Sequence, residues 1–170
     1  MLTREVLAAE GARGLTFRAV DAAAAVPPGT VSNYFGSRDD LLTQAGARVY
    51  ERLIPDGAPA AEPGDRARAM RELVERIAAF RSGYLALLEL RLEATRRPEL
   101  REVLTARVRA DIDATVAGHA AAGLPGDATS VRLLYLAMNW LIVERLTLPG
   151  VFTGEERDAL VTAAVERLAG

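Results

Sequence analysis

An all-α fold is what this sequence predicts, on three observations. Alanine, leucine and arginine dominate a chain that is 50% apolar but only 5% aromatic. Strand formers seldom alternate with polar residues, whereas apolar residues recur three and four apart, which is the helical period. Glycine and proline then cut the 170 residues into helix-length pieces, enough chain for one sizeable core or for a small module attached to a larger one.

The first helix is expected over Leu2 to about Glu10, with Leu2, Val6 and Leu7 on one face, and Gly11 placed to close it in the left-handed conformation. Thr16 is a good N-cap for a second helix, Phe17 to about Ala24, which buries Phe17 and Val20 and is otherwise nearly all alanine. Asp21 stands out on so small a helix, either solvated or paired with Arg18 or Arg13. Val26-Pro27-Pro28-Gly29 is a turn, and a third helix is expected from Pro28 to Phe35, because proline at the first helical position loses no hydrogen bond. Val31 and Phe35, four apart, point inward, leaving Thr30, Ser32, Asn33 and Tyr34 largely outward. Two short helices about a tight turn are the arrangement that lays a second helix in the major groove of DNA.

Ser37-Arg38-Asp39-Asp40 opens a fourth helix as a capping box, with Leu41, Leu42, Ala45, Val49 and Leu53 on its apolar side. Three prolines mark Ile54–Gly64 as a loop. The fifth helix, about Asp65 to Phe80, aligns Met70, Leu73, Ile77 and Phe80; Ser82-Gly83 then bends the chain before a helix over Tyr84–Arg96 with Leu85, Leu88 and Leu92 in register. Pro98 starts the next helix, whose Leu100, Leu104, Val108, Ile112 and Val116 form a stripe. Asp127 to about Leu148, with Asp127, Thr129 or Ser130 as cap, is apolar on every side, so one side can face its own core and another a second subunit. Thr153 caps a last helix with Leu160, Ala164 and Leu168 aligned. The class is therefore an N-terminal three-helix helix-turn-helix head, residues 1–45, and a C-terminal helical bundle, residues 46–170.

Composition removes other functions. There is no cysteine, so no disulfide or thiolate metal site, which is compatible with a reducing cytoplasm, and the single histidine rules out a multi-His site. No leader for export is expected at the N-terminus. The apolar run Leu133–Val143 is far below the roughly 18 residues that span a bilayer. Without a nucleophile–base set, a metal cluster or a phosphate-cradling glycine loop, neither an enzyme nor a cofactor is expected. The formal charge is −2, and residues 1–52 hold six arginines against six acids. Any DNA contact must rest on placed residues rather than bulk charge.

Thr16-Phe17-Arg18, Val26, Gly29-Thr30-Val31, Tyr34-Phe35 and Ser37-Arg38-Asp39-Asp40-Leu41-Leu42 resemble the TetR family of one-component repressors, and Leu88–Arg101 looks like one regulator subgroup of that family. The resemblance implies a cytoplasmic homodimer formed through the last two helices, a double-stranded operator, and an unidentified small apolar effector that releases it. By residue, it puts Thr16, Thr30, Tyr34 and Arg38 at phosphates, which sets register without reading sequence. Pro28, Ser32 and Asn33 fall at base-facing positions, with Arg18 as a further reader, and Asn33 is suited to an adenine edge. Three departures stand against the pattern. Pro28 replaces a common lysine, Ala25 replaces the turn's usual glycine, and the chain begins partway into the family's first helix, without its basic arm. An arm's absence weakens DNA affinity through lost phosphate contacts.

Phe80, Tyr84, Tyr135, Met138, Asn139 and Trp140 are candidates to line an effector pocket, with core or dimer packing as the ordinary use of such side chains. His119, near a helix C-terminus, reads as structural, and Arg96, Arg97, Glu89 and Glu93 as surface ion pairs of little weight. The alternative to a repressor is a dimeric helical ligand-binding protein with weak or lost DNA binding.

Overall fold

The computed structural model describes residues 2–53 and 66–169, and among them are eight α-helices, one short 3₁₀ segment and no strand. The all-α class is as expected. The predicted loop at 54–64 and the helix start at Asp65 lie outside the described residues. Two compact units are present. One holds α1 (Leu2–Gly14), α2 (Phe17–Ala23), α3 (Arg38–Leu53), α5 (Arg81–Ala94) and the start of α6 (Pro98–Ala121) as far as Val108. The other holds α4 (Arg66–Ala79), the rest of α6, α7 (Ala128–Thr147) and α8 (Gly154–Ala169).

In the first unit α1 packs on α5 and on α2, and α3 on α5. Leu7, Leu15, Leu41, Leu42, Leu90 and Leu100 are the largest fully buried side chains among its described residues, each worth about 1.5–3 kcal/mol when removed from water. α1 is interrupted at Gly11 (φ 67°, ψ −178°) and resumes beyond Glu10, where the expected helix stopped. Glycine is required there twice over: the φ is positive, and a Cβ would stand 3.1 Å from Glu89 Oε2. That same oxygen accepts the Ala12 N–H at 3.2 Å. The predicted box opens α3: Ser37 Oγ accepts from Asp40 N–H at 3.0 Å, while the Asp40 carboxylate accepts from Gly36 N–H at 3.2 Å.

α5 differs from expectation in two respects. The bend lies at Phe80 (ψ 47°), and Ser82 and Gly83 are already helical. The Phe80 ring folds over Gly83, where a Cβ would be 2.1 Å from a ring carbon, so this glycine serves close approach rather than a bend. The buried side is Gly83, Ala86, Leu87, Leu90 and Ala94, not Leu85, Leu88 and Leu92, and Leu92 is 60% exposed. Small residues let α1 and α3 press close to α5, and that pairing outranks the leucine spacing.

In the second unit α4, α7 and α8 pack on one another. Asp127 caps α7 as expected, accepting from Ser130 N–H at 2.8 Å, and that hydrogen bond holds its carboxyl below the usual value. α7 buries Val131, Leu134, Met138, Ile142 and Leu146 and exposes Leu133, Leu136 and Trp140 on the opposite side. α8 begins with a reciprocal box: Thr153 N–H donates to Glu156 Oε2 at 2.7 Å and Glu156 N–H to Thr153 Oγ1 at 3.2 Å. Its core side is Val161 and Val165, one position round from the predicted Leu160 stripe.

Candidate nucleic-acid interface

The segment after α2 is built by one buried carboxylate. Thr16 caps α2 as expected, its Oγ1 accepting from Ala19 N–H at 3.1 Å. The helix closes with Val26 N–H on Asp21 O and Ala25 N–H on Ala22 O, both at 3.1 Å. This is a Schellman pair, and it sets Ala25 at φ 52°, a left-handed conformation that favours glycine. The departure from the family's glycine is thus taken up as backbone strain. Asp21 is only 3% exposed. Its Oδ2 accepts from Gly29 N–H at 2.7 Å and its Oδ1 from Val31 N–H at 2.8 Å. It neither faces solvent nor pairs with Arg13 or Arg18. An acid on an alanine helix just ahead of a Pro-Pro-Gly turn is the sequence signal for such a cap.

What Asp21 holds is not the α-helix expected over Pro28–Phe35. Residues 28–30 form turns and Val31–Asn33 a single 3₁₀ turn. One cause is local: Thr30 and Ser32 send their hydroxyls back to Pro27 O and Gly29 O, both at 2.7 Å. Val31 is buried and Phe35 half-buried, so the inward pair is as predicted. Outward stand Pro28, Ser32 and Asn33, all exposed, and Tyr34, 76% exposed, with Thr30 half-buried among them. The structure therefore gathers Pro28, Thr30, Ser32, Asn33 and Tyr34 on one short stretch. Thr16 and Arg18 are exposed on α2. Arg38 is half-buried, donating from Nε to Leu15 O at 3.0 Å and from Nη2 to Ala12 O, so two of its nitrogens brace the end of α1.

A second buried acid stands near the end of α5. Glu93, 6% exposed, accepts from Arg96 at 2.5 Å and Arg97 at 2.9 Å. Arg97 also pairs with Asp39 at the start of α3. Burial disfavours the charge of Glu93, but hydrogen bonds from Arg97 and Arg96, with their attraction, outweigh it and hold its carboxyl below the usual range. Glu89 and Glu93 are consequently not the surface ion pairs that spacing suggested.

Of the six pocket candidates, Phe80 and Tyr84 belong to the first unit and Tyr135, Met138, Asn139 and Trp140 to the second. In the first unit, Phe80 covers Gly83 and Tyr84 is buried. In the second, Met138 lies in the core stripe, Asn139 Nδ2 donates to Tyr135 O at 2.9 Å, and Trp140 is 64% exposed. A cleft of about 260 Å³ in the second unit is lined instead by residues that include Arg66, Met70, Leu73, Arg76, His119 and Leu134. His119 also contacts Pro125 O through Nε2 at 2.9 Å, fixing the turn after α6. Among the described residues, no group of acids and histidine is placed to hold a metal, and no helix is long and apolar enough to cross a membrane.

Residues 2–45 match the family described as bacterial regulatory proteins, tetR family, and residues 61–170 the family described as Tetracyclin repressor-like, C-terminal domain. No curated protein matches the sequence. A transcriptional regulator of Rhodococcus sp. Rha1 is similar in structure, with TM-score 0.80 at 18% identity over 98% of this chain and 91% of that one. The multidrug binding protein EbrR, solved with ethidium, gives TM-score 0.67 at 26% identity over 99% and 95%. A protein of Saccharomonospora viridis, solved with choline, gives 0.76 at 15% over 99% and 93%. With a family match over most of its length and the buried-acid head described above, the chain belongs to the TetR family of transcriptional regulators.

Proposed function

We propose that the chain is a repressor that binds a palindromic operator as a homodimer and is released by a small effector. Residues 1–45 carry DNA contact, and residues 46–170 effector binding and dimerisation. The observation that carries this reading is the Asp21 cap, which fixes Gly29 and Val31 and turns Ser32, Asn33 and Tyr34 outward. A polar stretch held this firmly and left exposed is suited to a rigid partner. Thr16, Thr30, Tyr34 and Arg38 serve phosphates, and Asn33, with Ser32, Pro28 and Arg18, base edges. The exposed Leu133, Leu136 and Trp140 of α7 support dimerisation through the last two helices.

EbrR was solved with ethidium and with proflavin, which supports a small-molecule effector for this chain as well. The cleft lined by Met70, Leu73 and Leu134, with arginines and a histidine at its edge, has the mixed apolar and polar lining of such sites. Tyr135, Met138 and Asn139 stand on α7, the helix that supplies Leu134.

The test is a pair of substitutions assayed on a palindromic fragment from upstream of the protein's own gene and on random DNA. Asn33→Ala is expected to lower specific affinity by about 1–3 kcal/mol with little change on random DNA, and Tyr34→Phe to weaken both alike. Equal losses on both DNAs for both variants would show that this face does not read sequence.

A further inference from the structure

In the second unit α4 carries six charged side chains, and four of them are engaged. Arg68 Nε donates to Glu72 Oε1 at 3.0 Å, Arg71 Nη1 donates to Thr162 Oγ1 at 2.7 Å, and Glu75 pairs with Arg145 of α7. Arg66 and Arg76 have no hydrogen-bond or ion-pair partner among the described residues. Both line the cleft of about 260 Å³. Arg66, Met70, Leu73 and Arg76 follow one another at three or four residues, so they share one side of α4. The two arginines, about 15 Å apart along the axis at 1.5 Å per residue, therefore bracket an apolar wall that Leu134 and Val165 complete.

Among the described residues of the lining Glu72 is the one acid, and its carboxylate is turned to Arg68, which is not part of that lining. His119 gives Nε2 to Pro125 O; a carbonyl only accepts, so the proton of the neutral ring is committed to the turn. Arg66 and Arg76 are thus the uncommitted charges of the cleft. Positive charge beside an apolar wall repels a cation and gains nothing from a neutral molecule, but it suits an anion with an apolar tail. Arg66 is half-buried and Arg76 exposed, and a charge partly removed from water attracts its counter-ion more strongly. The cleft is smaller than the roughly 300–1,000 Å³ of sites for drug-sized molecules, which limits the tail. We propose that it takes a small amphiphilic monoanion, with a carboxylate on the Arg66 guanidinium and an apolar tail along Met70, Leu73 and Leu134. Arg76 adds a weaker attraction screened by solvent. The proposal rests on the reading of this cleft as the effector site.

The experiment compares octanoate, octan-1-ol and octylammonium, which share one tail and differ in the head, by ligand-observed NMR titration of the full chain. The formal charge of −2 favours the ammonium in bulk, so a preference for the anion has to arise in the cleft. Octanoate is expected to bind about tenfold more tightly than the other two. Arg66→Gln is expected to abolish that preference and leave octan-1-ol within about twofold, which also shows that the variant folds; Arg76→Gln is expected to cost octanoate no more than about threefold. Leu73→Ala is expected to weaken octanoate and octan-1-ol alike, by about fivefold. Absence of binding, equal binding of the three, a preference for octylammonium, or a preference that survives Arg66→Gln would overturn the proposal. The effector reading is tested apart, by adding the same compounds to the complex with the operator fragment. Octanoate that binds as described and leaves the DNA complex intact would sink the effector reading and leave the anion site standing. Release by octylammonium without any octanoate preference would keep the effector reading and overturn the anion site.

Discussion

Asp21 and Glu93 are both carboxylates taken out of water, and both are satisfied by donors close by in the sequence, Gly29 and Val31 for Asp21, Arg96 and Arg97 for Glu93. Removing the Asp21 side chain orphans the Gly29 and Val31 N–H groups. Asp21→Ala is expected to cost about 2–4 kcal/mol of stability, with Asp21→Asn, which keeps one acceptor, costing less; equilibrium denaturation measures both. For Glu93 the direction follows from its lowered pKa. Unfolded, the carboxyl titrates at about 4.3. The stabilisation from a depressed folded pKa is therefore complete above that pH, and it is lost as the pH falls through the lower folded value. Thermal unfolding of wild type should weaken more steeply than that of Glu93→Gln as the pH falls below about 4.3, and parallel curves would argue that the carboxylate carries no net pairing energy.

Among the elements, the turn between α2 and the 3₁₀ segment is the strained one. Ala25 holds φ 52°, a conformation that costs a non-glycine residue about 1–2 kcal/mol, partly offset because glycine loses more freedom on folding. Ala25→Gly is accordingly expected to raise stability by about 0.5–1 kcal/mol and to leave the exposed face in place, measured by denaturant midpoint. The element scale also separates what could be read in advance from what could not. Thr16, Ser37, Asp127 and Thr153 announce helix starts because a cap needs only residues three positions apart, and all four cap as expected. The stretch Pro28–Phe35 departs from the expected α-helix because proline at a helix start fits both an α-helix and a tight turn. The choice between them was made by Asp21, eight residues before Gly29 in sequence. The buried side of α5 differs from the leucine spacing for a related reason: Gly83, Ala86 and Ala94 bury little apolar area themselves, and only the approach of α1 and α3 reveals them as the inner face. The outward set Ser32, Asn33 and Tyr34 was legible, since Val31 and Phe35 fix which way the stretch faces.

For the whole molecule, the proposed function requires two heads whose polar stretches enter successive major grooves, about 34–36 Å apart. Bulk charge gives little help, with 21 arginines against 23 acids. Affinity then comes from a few placed contacts, and specificity from the symmetry that doubles them. In the proposed mechanism, effector release is a coupling free energy between pocket and operator. In the first unit, Glu89 at Ala12 and the Glu93–Arg97–Asp39 chain join α5 and α6 to the helices of the head. The most direct test of the central claim is selection of bound duplexes from a random pool by the wild-type chain. The enriched sequences should contain an inverted repeat whose half-site centres lie about 10–10.5 base pairs, or a multiple of that, apart. A pool that enriches no repeat, or only an unpaired half-site, would contradict it.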